Sequence, residues 1–214
     1  NKLKNYLDSK FNTELPYNYY KGHYQIHLPN YKDEILSEIL FNKNIHNILE
    51  YALGKNYHLY SYTCNANLAD NNQPYHMDCS HFHSQDTIKL FNSPGPPHHI
   101  IVNVYLEDTN EANTSFNIVP GSHLFTDFEI DEDGIIDNKY INKTFRCNLP
   151  KGSVIIRDKR TWHRGTINYT INPRYMVGFG YSSKWFKSNE LKFSKDSEEL
   201  FFNANFSIWN INFE

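Results

Sequence analysis

In the segment YKDEILSEILFNKNIHNILEYALG, apolar residues recur at three- and four-residue steps. Ile35, Leu36, Ile39, Leu40, Ile45, Ile48, Leu49 and Leu53 therefore share one face of a helix. Asp33 and Glu34 suit the positive end of the helix dipole, and Gly54 suits the position just past its negative end. The spacing predicts a helix from Lys32 to Leu53, interrupted near Asn42 to Asn44.

After Gly54 the period changes. YHLYSYTCNANL alternates and is rich in Tyr, as a half-buried strand is. Short strand-like runs follow: IIVNVYLED, TSFNIVPGS, KTFRCNLP, GSVIIRD and RYMVGFGYSS, separated by Pro-Gly, Asp-Gly and Lys-Gly turns. Many short strands behind one helical segment predict a mainly β domain, an antiparallel sandwich or barrel, of which the jelly roll is a natural member. The chain is read as a single domain. Residues 1–56 form a helical support, 57–183 the β core, and the aromatic tail 184–214 packs on that core because it is too apolar to float free.

Composition narrows the function classes. A net charge of -3 offers no basic field for nucleic acid. Cys64, Cys79 and Cys147 are an odd set without paired spacing, which argues against a disulfide framework and for a reducing compartment. No apolar run is long enough to span a membrane, and NKLKNYLDSK has no signal-peptide character, so a cytoplasmic location is expected. Lys184, Lys187 and Lys192 are scattered and form no cluster for a nucleotide phosphate.

The chemistry concentrates in QPYHMDCSHFH. By itself this stretch reads either as a His-containing turn or as part of a metal site. In extended chain, His76 and Asp78 point to one side and make two adjacent N/O ligands. Two His and one carboxylate on one face, with open positions opposite, is the non-haem Fe(II) oxygenase arrangement. It requires a distant second His, and His163 in GSVIIRDKRTWHRGTIN is the candidate. Arg174, on the next apparent strand, offers a guanidinium that suits the distal carboxylate of a dicarboxylate co-substrate.

These pieces resemble the phytanoyl-CoA dioxygenase family of Fe(II)/2-oxoglutarate oxygenases. HMD, VNVYLED with FNIVPGSH, and GSVIIRDKRTWHRGTIN…NPR occur in the family's order over residues 57–183. The resemblance implies a double-stranded β-helix, the cupin-like jelly roll, with iron bound by His76, Asp78 and His163. It also implies that Arg174 holds the C5 carboxylate of 2-oxoglutarate. There are two departures: no Gly stands where ANTSF enters the IVPGSH strand, and Gly165 stands where a co-substrate-binding Ser or Thr is usual. Gln73 and Asn103 are the candidates for the missing contact.

The expected reaction is hydroxylation of a small molecule with uptake of O2 and release of succinate and CO2. Desaturation or cyclisation on the same metal, or a non-catalytic jelly-roll binding module, are the alternatives. Halogenation is disfavoured because halogenating relatives replace the carboxylate that Asp78 supplies. His81, Phe82 and His83 are candidates for the substrate pocket. His98 and His99 open a strand, His123 serves a turn, Trp162 packs, and Cys79 is a small buried residue. DFEIDEDGIIDNKY is a solvated acidic loop.

Overall fold

A computed structural model describes residues 2–13, 18–28, 38–68, 70–81, 83–125, 140, 142–188, 191–193 and 211–213. The expected acidic loop lies outside them except for Tyr140, as do Phe82 and residues 32–37 of the expected long helix. The elements are α1 (Lys2–Thr13), β1 (Asn18–Tyr20), β2 (His23–His27), α2 (Lys43–Leu53), β3 (His58–Asn67), α3 (Gln85–Phe91), β4 (His99–Tyr105) and β5 (Phe116–Ile118). They continue with a 3-10 turn (Ser122–Leu124), β6 (Phe145–Cys147), β7 (Val154–Asp158), β8 (His163–Gly165), β9 (Arg174–Ser182), β10 (Leu191–Phe193) and β11 (Ile211–Phe213).

Residues 1–56 are not helical throughout. β1 and β2 form an antiparallel hairpin that joins the main sheet through β3. Its turn is Lys21-Gly22, with φ of 40° and 85°, the double left-handed geometry that matches strand twist. The break expected near Asn42 is real. Asn42 caps α2, its side chain accepting from the amides of Asn44 (3.0 Å) and Ile45 (3.3 Å). Gly54, φ 79°, ends that helix.

Two antiparallel sheets face each other, in strand orders β1-β2-β3-β9-β4-β7 and β6-β5-β8. The fold is the expected jelly roll. In the large sheet the two-residue period separates two interiors. Tyr62, Cys64 and Ala66 of β3, Ile100, Val102 and Val104 of β4, and Tyr175, Val177, Phe179 and Tyr181 of β9 point outward. They meet Leu40, Ile45, Leu49 and Leu53 of the helical layer in one apolar core. Leu49 is fully buried there, and such a Leu→Ala truncation costs about 2–5 kcal/mol.

The alternate residues point inward, towards the small sheet. Ser61, Thr63, Asn65 and Asn67 of β3 and Arg174 and Met176 of β9 line a cavity of 380 Å³ between the sheets. These strands are thus apolar on one side and polar on the other because each side faces a different interior. Of the aromatic tail, Leu191 packs against the core and Phe186 stacks on His98. β10 and β11 pair in parallel.

Candidate active site

The segment carrying His76 lies beside β8 at the edge of the small sheet. The His76 amide donates to the His163 carbonyl (2.9 Å) and the His163 amide donates to the His76 carbonyl (3.0 Å), a single antiparallel bridge. Asp78 is fixed next by its amide, which donates to the Lys159 carbonyl (3.0 Å). Main-chain pairing therefore brings together residues 87 positions apart in sequence, whatever their side chains.

One donor atom each from His76, Asp78 and His163 lie within 4.8 Å of one another. Asp78 Oδ1 is 4.0 Å from His76 Nε2 and 3.5 Å from His163 Nε2. The tautomers are set by the other ring nitrogens. His76 Nδ1 donates to the Pro74 carbonyl and His163 Nδ1 to the Thr161 carbonyl, both at 2.9 Å. Each Nε2 is then the ring's acceptor in the cavity wall, that of His163 lying 3.4 Å from Arg157 Nη2.

Electrostatics agree with a cation site. Burial pushes the His163 imidazole down to about 4, with Arg157 adding to the effect, so the ring is neutral at neutral pH. Burial raises the Asp78 pKa, but Arg157 and His163 outweigh it and hold the carboxyl well below its usual range. Two imidazoles and one carboxylate fit a first-row divalent ion.

Arg174 opens β9 opposite Asn67 and is 3% exposed. Its Nε and Nη1 are buried without a hydrogen-bond partner, and it lines the cavity. A buried guanidinium with free donors calls for an anion, and a dicarboxylate fits it. Gln73 also lines the cavity, its Oε1 accepting from the Gly165 amide (2.8 Å). Asn103 is buried but not in the cavity wall. It reaches the site through Arg157, whose Nε donates to its Oδ1 (3.4 Å).

His81 and His83 do not line the cavity. His81 is half-buried near His98, His123 and the Asp158–Arg160 pair, and His83 packs against Gly95. Trp162 packs with Tyr75, Val119 and Tyr140, as expected. Burial pushes the Cys79 thiol up to about 12, so it is uncharged at neutral pH.

Sequence reasoning missed three residues. Arg157 on β7 donates to Asp78 Oδ2 at 2.5 Å. The signal was available, since an Arg in the apolar run VIIRD is a charge placed in a strand interior. His23 lines the cavity from β2, inside the segment read as helical. A Cβ on Gly165 would sit 2.8 Å from the His23 ring and 2.9 Å from Gln73 Oε1. His23 and Gln73 thus fill the space that a side chain at position 165 would take, which accounts for the glycine. Arg160 is the third. It forks onto both oxygens of Asp158 (2.7 to 3.2 Å) and donates to the Pro94 carbonyl (2.8 Å). That buried pair ties the turn before His163 to the loop before β4.

A jelly roll with a two-histidine, one-carboxylate cluster facing a buried cavity defines the class of non-haem iron oxygenases. The pattern of the family described as Phytanoyl-CoA dioxygenase (PhyH) matches residues 20–176, and the chain belongs to that family of Fe(II)- and 2-oxoglutarate-dependent oxygenases. The structure is similar to HygX from Streptomyces hygroscopicus, solved with nickel, 2-oxoglutarate and hygromycin B bound. The TM-score is 0.62 at 12% identity, covering 93% of this chain and 84% of that one. It is also similar to the epimerase SnoN in complex with Fe3+, alpha ketoglutarate and nogalamycin RO, with a TM-score of 0.59, 16% identity, and 85% and 74% of the two chains covered. The non-heme monooxygenase ThoJ matches at 0.52 and 18% identity over 73% of this chain, which spans 58% of ThoJ. At these identities the likeness establishes the fold. No helix among the described residues is long and apolar enough to cross a membrane.

Proposed function

We propose that this chain is a single jelly-roll unit that hydroxylates a small polar molecule in a 2-oxoglutarate- and Fe(II)-dependent reaction. One observation carries the reading. His76 Nε2, His163 Nε2 and Asp78 Oδ1 converge beside a cavity into which the buried Arg174 brings two unpartnered donors. His76, Asp78 and His163 would hold the iron, and Arg174 the distal carboxylate of 2-oxoglutarate. Iron and 2-oxoglutarate, when bound, supply the oxidising chemistry, in which 2-oxoglutarate becomes succinate and CO2 and one oxygen atom of O2 enters a C–H bond.

The chain's own residues do the rest. The two carbonyl-anchored imidazoles hold their Nε2 atoms beside Asp78 Oδ1, so little reorganisation is needed when the cation enters. Arg174 sits at 3% exposure, where a guanidinium–carboxylate fork is not competed away by water. Gln73 and His23 occupy the space beside Gly165 and are the readings we favour for the second co-substrate contact. Burial pushes His23 down to about 4, so it would meet an anion as a neutral imidazole.

Much of the remaining wall is polar, beside the apolar Ile101, Phe116 and Met176. Ser61, Thr63, Asn65 and Gln25 line it, with Lys159 anchored to the Tyr60 hydroxyl (3.1 Å). Such a wall favours a small substrate with several hydrogen-bonding groups over a long acyl chain. The test is a screen of polar metabolites by succinate release, with product mass read in parallel. Gain of one oxygen supports hydroxylation, whereas loss of two hydrogens assigns desaturation or cyclisation.

A further inference from the structure

We propose that Cys79, His98 and His99 form a second metal site, distinct from the His76–Asp78–His163 cluster and suited to a zinc-class divalent cation. One donor atom from each of the three lies within 4.8 Å of the other two. Cys79 follows Asp78 in the chain, while His98 and His99 stand at the entrance to β4. The turn that carries Asp78 and the start of a large-sheet strand thus meet at this point.

The imidazoles call for a ligand. His98 is 2% exposed, and its Nδ1 is buried without a hydrogen-bond partner. Both ring nitrogens of His99 are in the same state. Buried polar atoms are nearly always bonded, so three orphaned nitrogens on two adjacent residues need an explanation. Their surroundings offer none. The Tyr60 ring lies 4.6 Å from that of His99, and Phe186 stacks on His98 at 4.6 Å and meets His99 edge-on at 4.9 Å. These aromatic walls hold the rings in place and give the nitrogens nothing to bond.

A cation takes one nitrogen from each imidazole and so satisfies one ring nitrogen of each histidine directly. A thiolate with two imidazoles is a borderline-soft set that selects zinc over magnesium or calcium. Three protein ligands leave a fourth tetrahedral position for water or another ligand. On binding, the Cys79 Sγ–H bond breaks, its proton goes to solvent, and the sulfur lone pair forms the bond to the metal. The nearby cations are engaged elsewhere. Lys159 donates to Tyr60 and Arg160 is locked onto Asp158. The two clusters share no residue, so this site stands whether or not the iron reading does.

The test is an anaerobic titration of the whole, reduced, metal-free protein with Co2+. Cobalt on a thiolate gives a near-ultraviolet charge-transfer band, which cobalt on two imidazoles and a carboxylate does not. The wild type should take up two equivalents per chain and develop that band, and added Zn2+ should remove it. Cys79→Ser, and His98→Ala combined with His99→Ala, should each lose the band and one equivalent. His163→Ala should keep the band and lose the other equivalent. A wild type that binds Co2+ without a thiolate band overturns the site, as does a band that survives Cys79→Ser.

Discussion

Arg157 and Asp78 divide the aspartate's two oxygens between two directions. The guanidinium of Arg157 takes Oδ2, while Oδ1 is left facing His76 and His163. The Asp78 side chain is 21% exposed, and the Arg157 contact limits its rotation. With Arg157 in place it presents one oxygen to the two imidazole Nε2 atoms. The arginine is itself held, by Asn103 on one side and by the Phe116 ring 5.4 Å away on the other.

This relationship predicts a positioning effect on metal affinity. Arg157→Leu should weaken Fe(II) or Mn(II) binding about 10–100-fold, the usual loss when a partner of a ligating group is removed. Arg157→Gln keeps a donor for Oδ2 and should recover part of that loss. Equal metal affinity in Arg157→Leu and wild type, by anaerobic titration, would show that Asp78 needs no such anchor.

Gly165 gives a prediction about packing. Its backbone tolerates alanine, but the added Cβ would fall 2.8 Å from the His23 ring. Gly165→Ala should therefore lower stability by about 1–3 kcal/mol, as overpacking does. Combining it with His23→Ala should return much of the loss, because the pair clashes directly. Denaturant midpoints for the four proteins check this, and additive effects would place His23 elsewhere.

Much of the site was legible because its signals are local or in fixed order. The HMD spacing, the D-x-R-x-W-H run and Arg174 each survive as short strings, and the β runs from IIVNVY onward announce themselves by alternation. What was hidden depends on contacts across the fold. Gly165 departs from the family pattern for a reason that lies on β2, in His23, 142 residues earlier. That strand was overlooked because the long apolar helix pattern beyond it dominated the segment, although the Lys21-Gly22 turn between Tyr- and His-rich runs was a hairpin signal. Arg157 acquires its role only when the fold brings Asp78 beside it from 79 residues away.

Acid should destabilise the metal-free protein. His23, His99 and His163 are each lowered to about 4 from an ordinary 6.5, burial being the main cause in all three. Between those two values the unfolded chain binds protons that the folded chain refuses, so stability falls as pH drops through the window. Asp78, depressed below its usual carboxylate range, adds a further loss at lower pH. The urea midpoint should decline steadily from about pH 6.5 to about pH 4. A flat midpoint over that range would mean that these imidazoles are charged in the fold.

Arg174 predicts a separable loss. Truncating one side of a buried charged pair costs about 2–5 kcal/mol, roughly 30- to 5000-fold in affinity. Arg174→Ala should raise the 2-oxoglutarate requirement by that factor while leaving iron binding nearly intact. Arg174→Lys should rescue only in part, since an ammonium cannot reproduce the fork. Unchanged co-substrate affinity in the alanine variant, read from succinate release against 2-oxoglutarate concentration, would remove Arg174 from the site.

The most direct test of the central claim is an anaerobic titration of Fe(II) in the presence of 2-oxoglutarate, following the visible charge-transfer absorption that arises only when 2-oxoglutarate chelates the iron. His163→Ala is the informative variant, because the His76–His163 bridge is made by main-chain atoms and survives loss of the side chain. The wild type should develop the band at one equivalent per chain, and His163→Ala should fail to develop it at the same concentrations. No band in the wild type, or a band of equal strength and affinity in His163→Ala, would contradict the account.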